Sequence, residues 1–440
     1  MISDVPLDPS ETVTASELVA LQARKLEALL ELAKSRSRFY QAHLKTLNLE
    51  RSWFLEALPV LTKHHLIAHT PPESEDLLTG PLESAYVFRS GGTTGQPKFS
   101  PFSFEEFRRF TAMFLRTYQA AGLRSSDRVA NLFACGSLYA SFIFVNRCLE
   151  ELGCVSFPFT GSAPFDVVGR NMELFPINTL MGFPSWVLEV VQRLPRTVLP
   201  KVEKIFYAGE HLYEEERSFL FESLPNLRLI ASGGYGAVDT GLMGYQCPHC
   251  TGNVHHALAD HVLLEIVDPA TFQPVPEGEE GSILVTTLDR FLMPLIRYDI
   301  GDRGRIIPGN CACGRSLPRF ELLGRNEDLR IGIATVGYDE VMRAAADHPE
   351  LSSVLQLIKQ REDMKDQLIV KVEVRPDFHG DRSDLARSFE ASIYRHKPDL
   401  EKLVLGEHIH PLKVALFHLG EIPRVPVTGK VRRIIDQTLD

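Results

Sequence analysis

The chain has no long unbroken hydrophobic run. Its most apolar stretch, Val129 to Val145, is interrupted by Asn131, Gly136 and Ser137, a mixture that suits a buried strand followed by a helix better than a membrane span. Positive charge is also scarce: 47 lysines and arginines stand against 57 aspartates and glutamates, a net charge of -10. That balance argues against a nucleic acid or an anionic membrane as the main partner, and leaves room for a local basic pocket that holds a nucleotide. Met1 to Thr14 is acidic and has no apolar core, so no secretory signal is expected and the cytoplasm is the expected compartment. Cysteines number seven, and four of them fall in two tight pairs. An odd count with that spacing fits a reduced protein with a metal site better than a disulfide framework. No internal repeat or low-complexity segment is found.

What is present starts with Ser90-Gly91-Gly92-Thr93-Thr94-Gly95-Gln96-Pro97-Lys98. Its glycines permit backbone conformations that a Cβ forbids, so N–H groups can turn inward as an anion nest while hydroxyls and Lys98 add donors. Phosphate is the natural guest; the plain alternative is a Gly/Ser/Thr surface turn. A Walker A loop is excluded, because Pro97 disfavours helix at Gln96 and Phe99 stands where the hydroxyl is needed. The Gly-x-Gly-x-x-Gly dinucleotide fingerprint is absent as well.

The chain of 440 residues is large enough for two or three domains. Helical spacing runs from about Ser16 to Ala33, and Ser103 with Glu106 forms a capping box that opens a helix to about Ala121. Arg128 to Ala134 is strand-like, Ser137 to Leu152 helical and Cys154 to Phe159 strand-like again, a unit that predicts a parallel sheet and an α/β fold. From His261 short strands and turns suggest a small antiparallel or barrel-like subdomain, within about 240–320. Beyond Gly324 a mixed α+β pattern reads as a separate domain. The expected division is 1–324 and 325–440.

The Ser90–Lys98 stretch resembles the phosphate loop of adenylate-forming enzymes, the superfamily of acyl-CoA synthetases, amino-acid adenylation domains and luciferases. Further segments follow in the order that resemblance implies. Gly209 and Glu210 look like the adenine-contacting turn. Gly234-Tyr235-Gly236-Ala237-Val238-Asp239 is similar to Tyr-Gly-x-Thr-Glu, with the ring near adenine and the acid, here Asp239, on magnesium. Val238 replaces the usual threonine. Asp302 ends an Arg-Tyr-x-Thr-Gly-Asp-like segment and is implied to hold the ribose. Arg325 is implied to contact the nucleotide, Glu327 to be the hinge, and Lys430 to be the adenylation catalyst. The resemblance implies a large multi-subdomain adenylation domain and a small mobile C-terminal lid. The chemistry requires such residues, since a carboxylate attacking the α-phosphorus of ATP brings two anions together and positive charge must meet the transition state.

Phrasing around Leu284–Leu288, Met293–Tyr298 and Cys313–Pro318 is similar to phenylacetate-CoA ligases and coenzyme F390 synthetases. That implies an aryl or arylalkyl acid as substrate, with Phe133, Tyr139 and Phe183 as pocket candidates; each also reads as an ordinary core aromatic. Cys247, Cys250, Cys311 and Cys313 form a C-x2-C and a C-x-C pair suited to tetrahedral, structural zinc. The resemblance offers His256 as an alternative ligand. The expected cofactors are ATP, Mg2+, CoA and Zn2+. The expected function is acyl-AMP formation followed by transfer to CoA. A carrier-protein thiol or an amine is the alternative acceptor, and a non-catalytic nucleotide binder the further alternative. A homodimer is compatible with the chain.

Overall fold

The computed structural model describes residues 9–45, 55–90, 98–210, 212, 214–325, 328–332, 334–363, 365–424 and 431–438. Residues group into two units, the first reaching Arg325 and the second running from Asn326 to Asp440.

The first unit opens with helices α1 (Ala15–Arg36), α2 (Arg38–His43) and α3 (Lys63–His69). A hairpin of β1 (Ala85–Arg89) and β2 (Phe99–Ser103) precedes α4 (Phe104–Ala121). The capping box at α4 forms as the sequence predicts: Ser103 Oγ accepts from Glu106 N at 3.2 Å, and Ser103 N donates to the Glu106 carboxylate at 2.8 Å. Then follow β3 (Arg128–Asn131), α5 (Ser141–Leu152), β4 (Val155–Pro158), α6 (Phe165–Leu174), β5 (Thr179–Gly182), α7 (Pro184–Arg193), β6 (Lys204–Ala208), α8 (Glu214–Ser223) and β7 (Leu229–Ala237). The remaining strands are β8 (Gly241–Tyr245), β9 (Val254–Ala257), β10 (Val262–Val267), β11 (Gly281–Thr287), β12 (Tyr298–Ile307) and β13 (Arg319–Arg325).

Eleven of these strands form one sheet in the order β10-β11-β12-β13-β9-β8-β7-β6-β5-β3-β4. Strands β3 to β7 are mutually parallel, and from β7 outward every pairing is antiparallel. The short strands expected after His261 are therefore joined edge to edge with the parallel ones. The parallel strands read as unbroken apolar runs because helices cover both faces: Val129, Ala130, Leu180, Met181, Ile205 and Phe206 are all buried. Helix α4 lies tightly on the antiparallel side, where a Cβ on Gly241 would stand 2.2 Å from the Phe110 ring.

One helix starts later than its sequence suggests. Gly136, Ser137 and Leu138 have φ of +90°, +46° and +66°, so the chain leaves β3 through a left-handed turn and α5 begins only at Ser141. At the opposite, amino ends of the strands lies a closed polar staple. Lys204 Nζ donates to both Asp127 oxygens at 2.9 and 2.7 Å and to the Gly122 carbonyl, while Asn178 Nδ2 reaches Asp127 at 3.2 Å.

The second unit contains β14 (Asp328–Ile331) paired with β15 (Ala334–Gly337), and helices α9 (Tyr338–Ala346), α10 (Arg382–His396) and α11 (Pro398–Leu405). Its four-stranded sheet runs in the order β18-β17-β16-β19, with β16 (Leu351–Glu362), β17 (Lys365–Val374), β18 (Lys413–His418) and β19 (Ile434–Asp436). The central pair is antiparallel and both outer strands join it in parallel. Among the described residues no helix is long and apolar enough to cross a membrane.

Candidate nucleotide and acid site

The hairpin fixes where the glycine stretch starts and ends. Ser90 N donates to the Lys98 carbonyl at 2.9 Å and Lys98 N to Ser90 Oγ at 3.0 Å, extending the β1–β2 ladder by one rung. Gly91, Gly92, Thr93, Thr94 and Gly95 lie outside the described residues, as do Glu327 and Lys430.

Strand alternation puts Lys98 and Ser100 on one face of β2, and that face meets Asp239. Ser100 Oγ donates to one Asp239 oxygen at 2.9 Å; Lys98 Nζ pairs with the other. Lys98 also donates to the Tyr298 hydroxyl at 2.7 Å, and that hydroxyl lies 3.3 Å from Asp239. Burial, and then the nearby Asp239 carboxylate, pushes the Tyr298 phenol well above its ordinary range, so it stays a donor. Behind this hub the fully buried Arg290 bonds the carbonyls of Pro101 and Met293 and stacks 3.8 Å from the Phe102 ring centroid. Burial lowers the guanidinium to about 10, still charged at neutral pH.

Beside the hub, the Tyr235 hydroxyl donates to Asp302 at 2.6 Å. Gly234 holds φ +146°, and a Cβ there would lie 2.2 Å from Leu242, so only glycine lets the strand turn before Tyr235. Under this turn Ser232 Oγ accepts from Gly234 N at 3.2 Å and lies 3.3 Å from His255 Nε2. Burial lowers His255 to about 4. Its Nδ1 proton therefore goes to the Asn253 carbonyl at 2.8 Å, and Nε2 accepts from Ser232. Asp302 is the β-ladder partner of Arg325, which brings the backbones of two expected nucleotide residues together.

Gly209 ends β6 with φ +77°. Glu210 accepts from Ser185 N at 3.0 Å, capping α7. Phe133 and Phe183 stand edge to face at 5.2 Å, with Tyr139 at 5.9 Å from Phe183. Phe133 and Phe183 are buried and Tyr139 half-buried. These residues follow β3 and β5. Since β4 lies on one side of β3 and β5 on the other, that gap is the point where strand order reverses, the crevice where open α/β sheets bind ligands.

The cysteines converge on the antiparallel side. Ligand atoms of Cys247, His256, Cys311 and Cys313 all lie within 4.8 Å of one another. Cys250 Sγ is 3.6 Å from Cys247 Sγ. His256 Nδ1 faces the Leu317 carbonyl at 3.4 Å, which turns Nε2 toward Cys313 Sγ at 3.5 Å. Three thiols and an imidazole this close together, all buried but the half-buried Cys313, suit tetrahedral zinc; the alternative ligand His256 is in the group and Cys250 stands beside it.

Sequence reading missed Ser100, Arg290, Ser232 and His255. The period-two alternation from Lys98 is a signal for Ser100; nothing local marks the others. Arg297, which opens the segment expected to hold ribose, is structural: it is buried, pairs with Glu265 at 3.0 Å and holds the carbonyls of Glu56, Leu58 and Phe272.

Five parallel strands continued by an antiparallel half in one mixed sheet, with a separate small α+β unit after Arg325, define an α/β enzyme of the adenylate-forming fold. The fold is shared with a 2-hydroxyisobutyryl-CoA ligase solved in the postadenylation state with 2-HIB-AMP, at a TM-score of 0.80 and 21% identity over 99% of this chain and 94% of that one. Residues 5–290 match the AMP-binding enzyme family, and the chain belongs to it. It is 28% identical to the phenylacetate-coenzyme A ligase of Thermus thermophilus over 97% of this chain and 98% of that protein. Identity to the Escherichia coli phenylacetate-coenzyme A ligase is 25% over 99% and 98%.

Proposed function

We propose that the enzyme joins a carboxylic acid to AMP, releasing pyrophosphate, and then transfers the acyl group to the thiol of CoA, releasing AMP. The observation that carries this reading is the gathering of Lys98, Asp239, Tyr298, Tyr235 and Asp302 into one polar site. The full-length similarity to phenylacetate-coenzyme A ligases supports it. In this reading Ser90, the glycine stretch and Lys98 hold the departing phosphates, Tyr235 and the Gly209–Glu210 turn flank adenine, and Asp302 with Arg325 holds ribose. Asp239 offers carboxylate oxygens to Mg2+, which supplies positive charge to the pyrophosphate leaving group. The aromatic trio at the sheet crevice, Phe133, Tyr139 and Phe183, suits an aryl or arylalkyl acid. Zinc at Cys247, Cys311, Cys313 and His256 is structural, because a four-ligand set leaves no position for substrate. The C-terminal unit acts as a mobile lid about Glu327 and delivers Lys430 to the α-phosphate.

Acid-dependent exchange of pyrophosphate into ATP, run over a panel of aryl acids with and without CoA, tests the reading. Lys430→Ala is expected to slow exchange on the order of a hundredfold or more while thioester formation from a preformed acyl-adenylate persists. Equal loss of both steps contradicts the role given to Lys430. Exchange with no acid at all overturns the proposal.

A further inference from the structure

Asp239 has partners on both of its carboxylate oxygens. One oxygen takes the Ser100 hydroxyl, and the other faces both Lys98 and the Tyr298 hydroxyl. The pair is shielded from water, with side-chain exposure of 1% for Asp239 and 13% for Lys98. Lys98 further lies 5.3 Å from the Tyr298 ring centroid. Arg290 ties the Pro101 carbonyl to the 290–293 loop, so the strand edge that carries Lys98 and Ser100 is held against Asp239. The side chain that closes the phosphate stretch and the acid suited to a divalent cation are thus occupied with each other.

We infer that the Lys98–Asp239 pair makes nucleotide and divalent-cation binding depend on one another. The inference rests on the nucleotide reading given above. A phosphate that draws Lys98 away leaves a buried carboxylate with two hydroxyls and the field of the Arg290 guanidinium for support, a costly state until a cation replaces the ammonium. A cation that reaches Asp239 must expel Lys98, whose charge then needs an anion beside it. Each ligand alone breaks a buried ion pair, and only both together restore charge balance around both residues. Coupling of this kind is reciprocal: the factor by which the cation strengthens nucleotide binding equals the factor by which the nucleotide strengthens cation binding. Asp239 is therefore more than a ligand; in the resting enzyme it is the counter-ion that withholds Lys98 from metal-free nucleotide.

Calorimetric titration of ATP into the full chain, without acid or CoA, in magnesium and in EDTA, tests this. Magnesium chelates ATP in solution equally for every variant, so comparison between variants isolates the protein's part. Magnesium is expected to raise wild-type affinity by roughly tenfold or more. Asp239→Asn, which frees Lys98, is expected to bind metal-free ATP about fivefold or more tightly than wild type and to bring the magnesium-to-EDTA ratio toward one. The double variant Lys98→Met/Asp239→Asn loses that gain. Should Asp239→Asn fail to fold, Tyr298→Phe, which removes one of the hydroxyls left to Asp239 when Lys98 departs, is expected to move the other way, weakening metal-free ATP binding and widening the magnesium-to-EDTA ratio; an unchanged ratio overturns the inference. An Asp239 variant that binds ATP with the wild-type ratio overturns the inference and leaves the nucleotide reading standing. A wild-type protein that binds no ATP in either buffer overturns the reading itself.

Discussion

The two ends of the parallel strands have been built in opposite ways. At the amino ends, Asp127, Asn178 and Lys204 satisfy one another in a buried network that staples β3, β5 and β6. At the carboxyl ends the chain turns through left-handed residues at Gly136, Ser137, Leu138, Thr160 and Gly209, and presents aromatic rings and a helix cap. At the amino edge Lys204 and Asp127 have their bonding positions filled by each other, by Asn178 and by the Gly122 carbonyl. Turns that hold the backbone in sparsely populated conformations are kept where side chains must face a guest. The same strands therefore end in paired charge at one edge and in left-handed turns and aromatic rings at the other.

That contrast can be broken most directly at the amino edge. Lys204→Met leaves the Asp127 carboxylate buried without its cation and is expected to lower stability by about 3–5 kcal/mol, read by urea denaturation, with KM for ATP and acid unchanged. A large rise in either KM would show that the edges are not separate. Next in size, Tyr139→Ala at the carboxyl edge is expected to raise KM for an aryl acid about tenfold or more with little change in the urea midpoint. Reversal of those two readouts would remove Tyr139 from the acid site.

The smallest effect lies apart from both edges, among the rings around Phe39. Burial first, and the neighbouring imidazoles after it, hold His43 and His65 below the ordinary histidine range. The folded state thus binds fewer protons than the unfolded chain in the window just below a pH of about 6.5. The stability that neutral His43 and His65 contribute is complete above that value and is lost as pH falls toward their lowered pKa values. His43→Gln should flatten that slope in a series of thermal melts between about pH 7 and 5; a slope identical to wild type would rule the residue out.

Local signals were legible. The Ser103–Glu106 box and the α/β alternation depend on neighbours a few residues apart, and each stands where its pattern implies. The order of motifs also singled out Tyr235, Asp239 and Asp302, because each sits in a short recognisable segment. The start of α5 was not legible: Ser137 and Leu138 suit a helix by composition, and only the turn out of β3 forces them to positive φ. Arg290 and His255 were invisible for a related reason, since their roles depend on groups that lie near them only after folding.

By itself the sequence determined which residue types are available: a glycine run with hydroxyls and a lysine, acids in short motifs, and two close cysteine pairs. Periodicity and capping act over a few residues and need no knowledge of the rest of the chain. Tertiary structure alone decided which groups meet. It placed Lys98 against Asp239 across 141 positions, and it brought the imidazole of His256 within 4.8 Å of the thiols of Cys247, Cys311 and Cys313. Those choices follow from strand order in a mixed sheet, where burying apolar faces fixes the register and thereby which distant polar side chains must pair out of water.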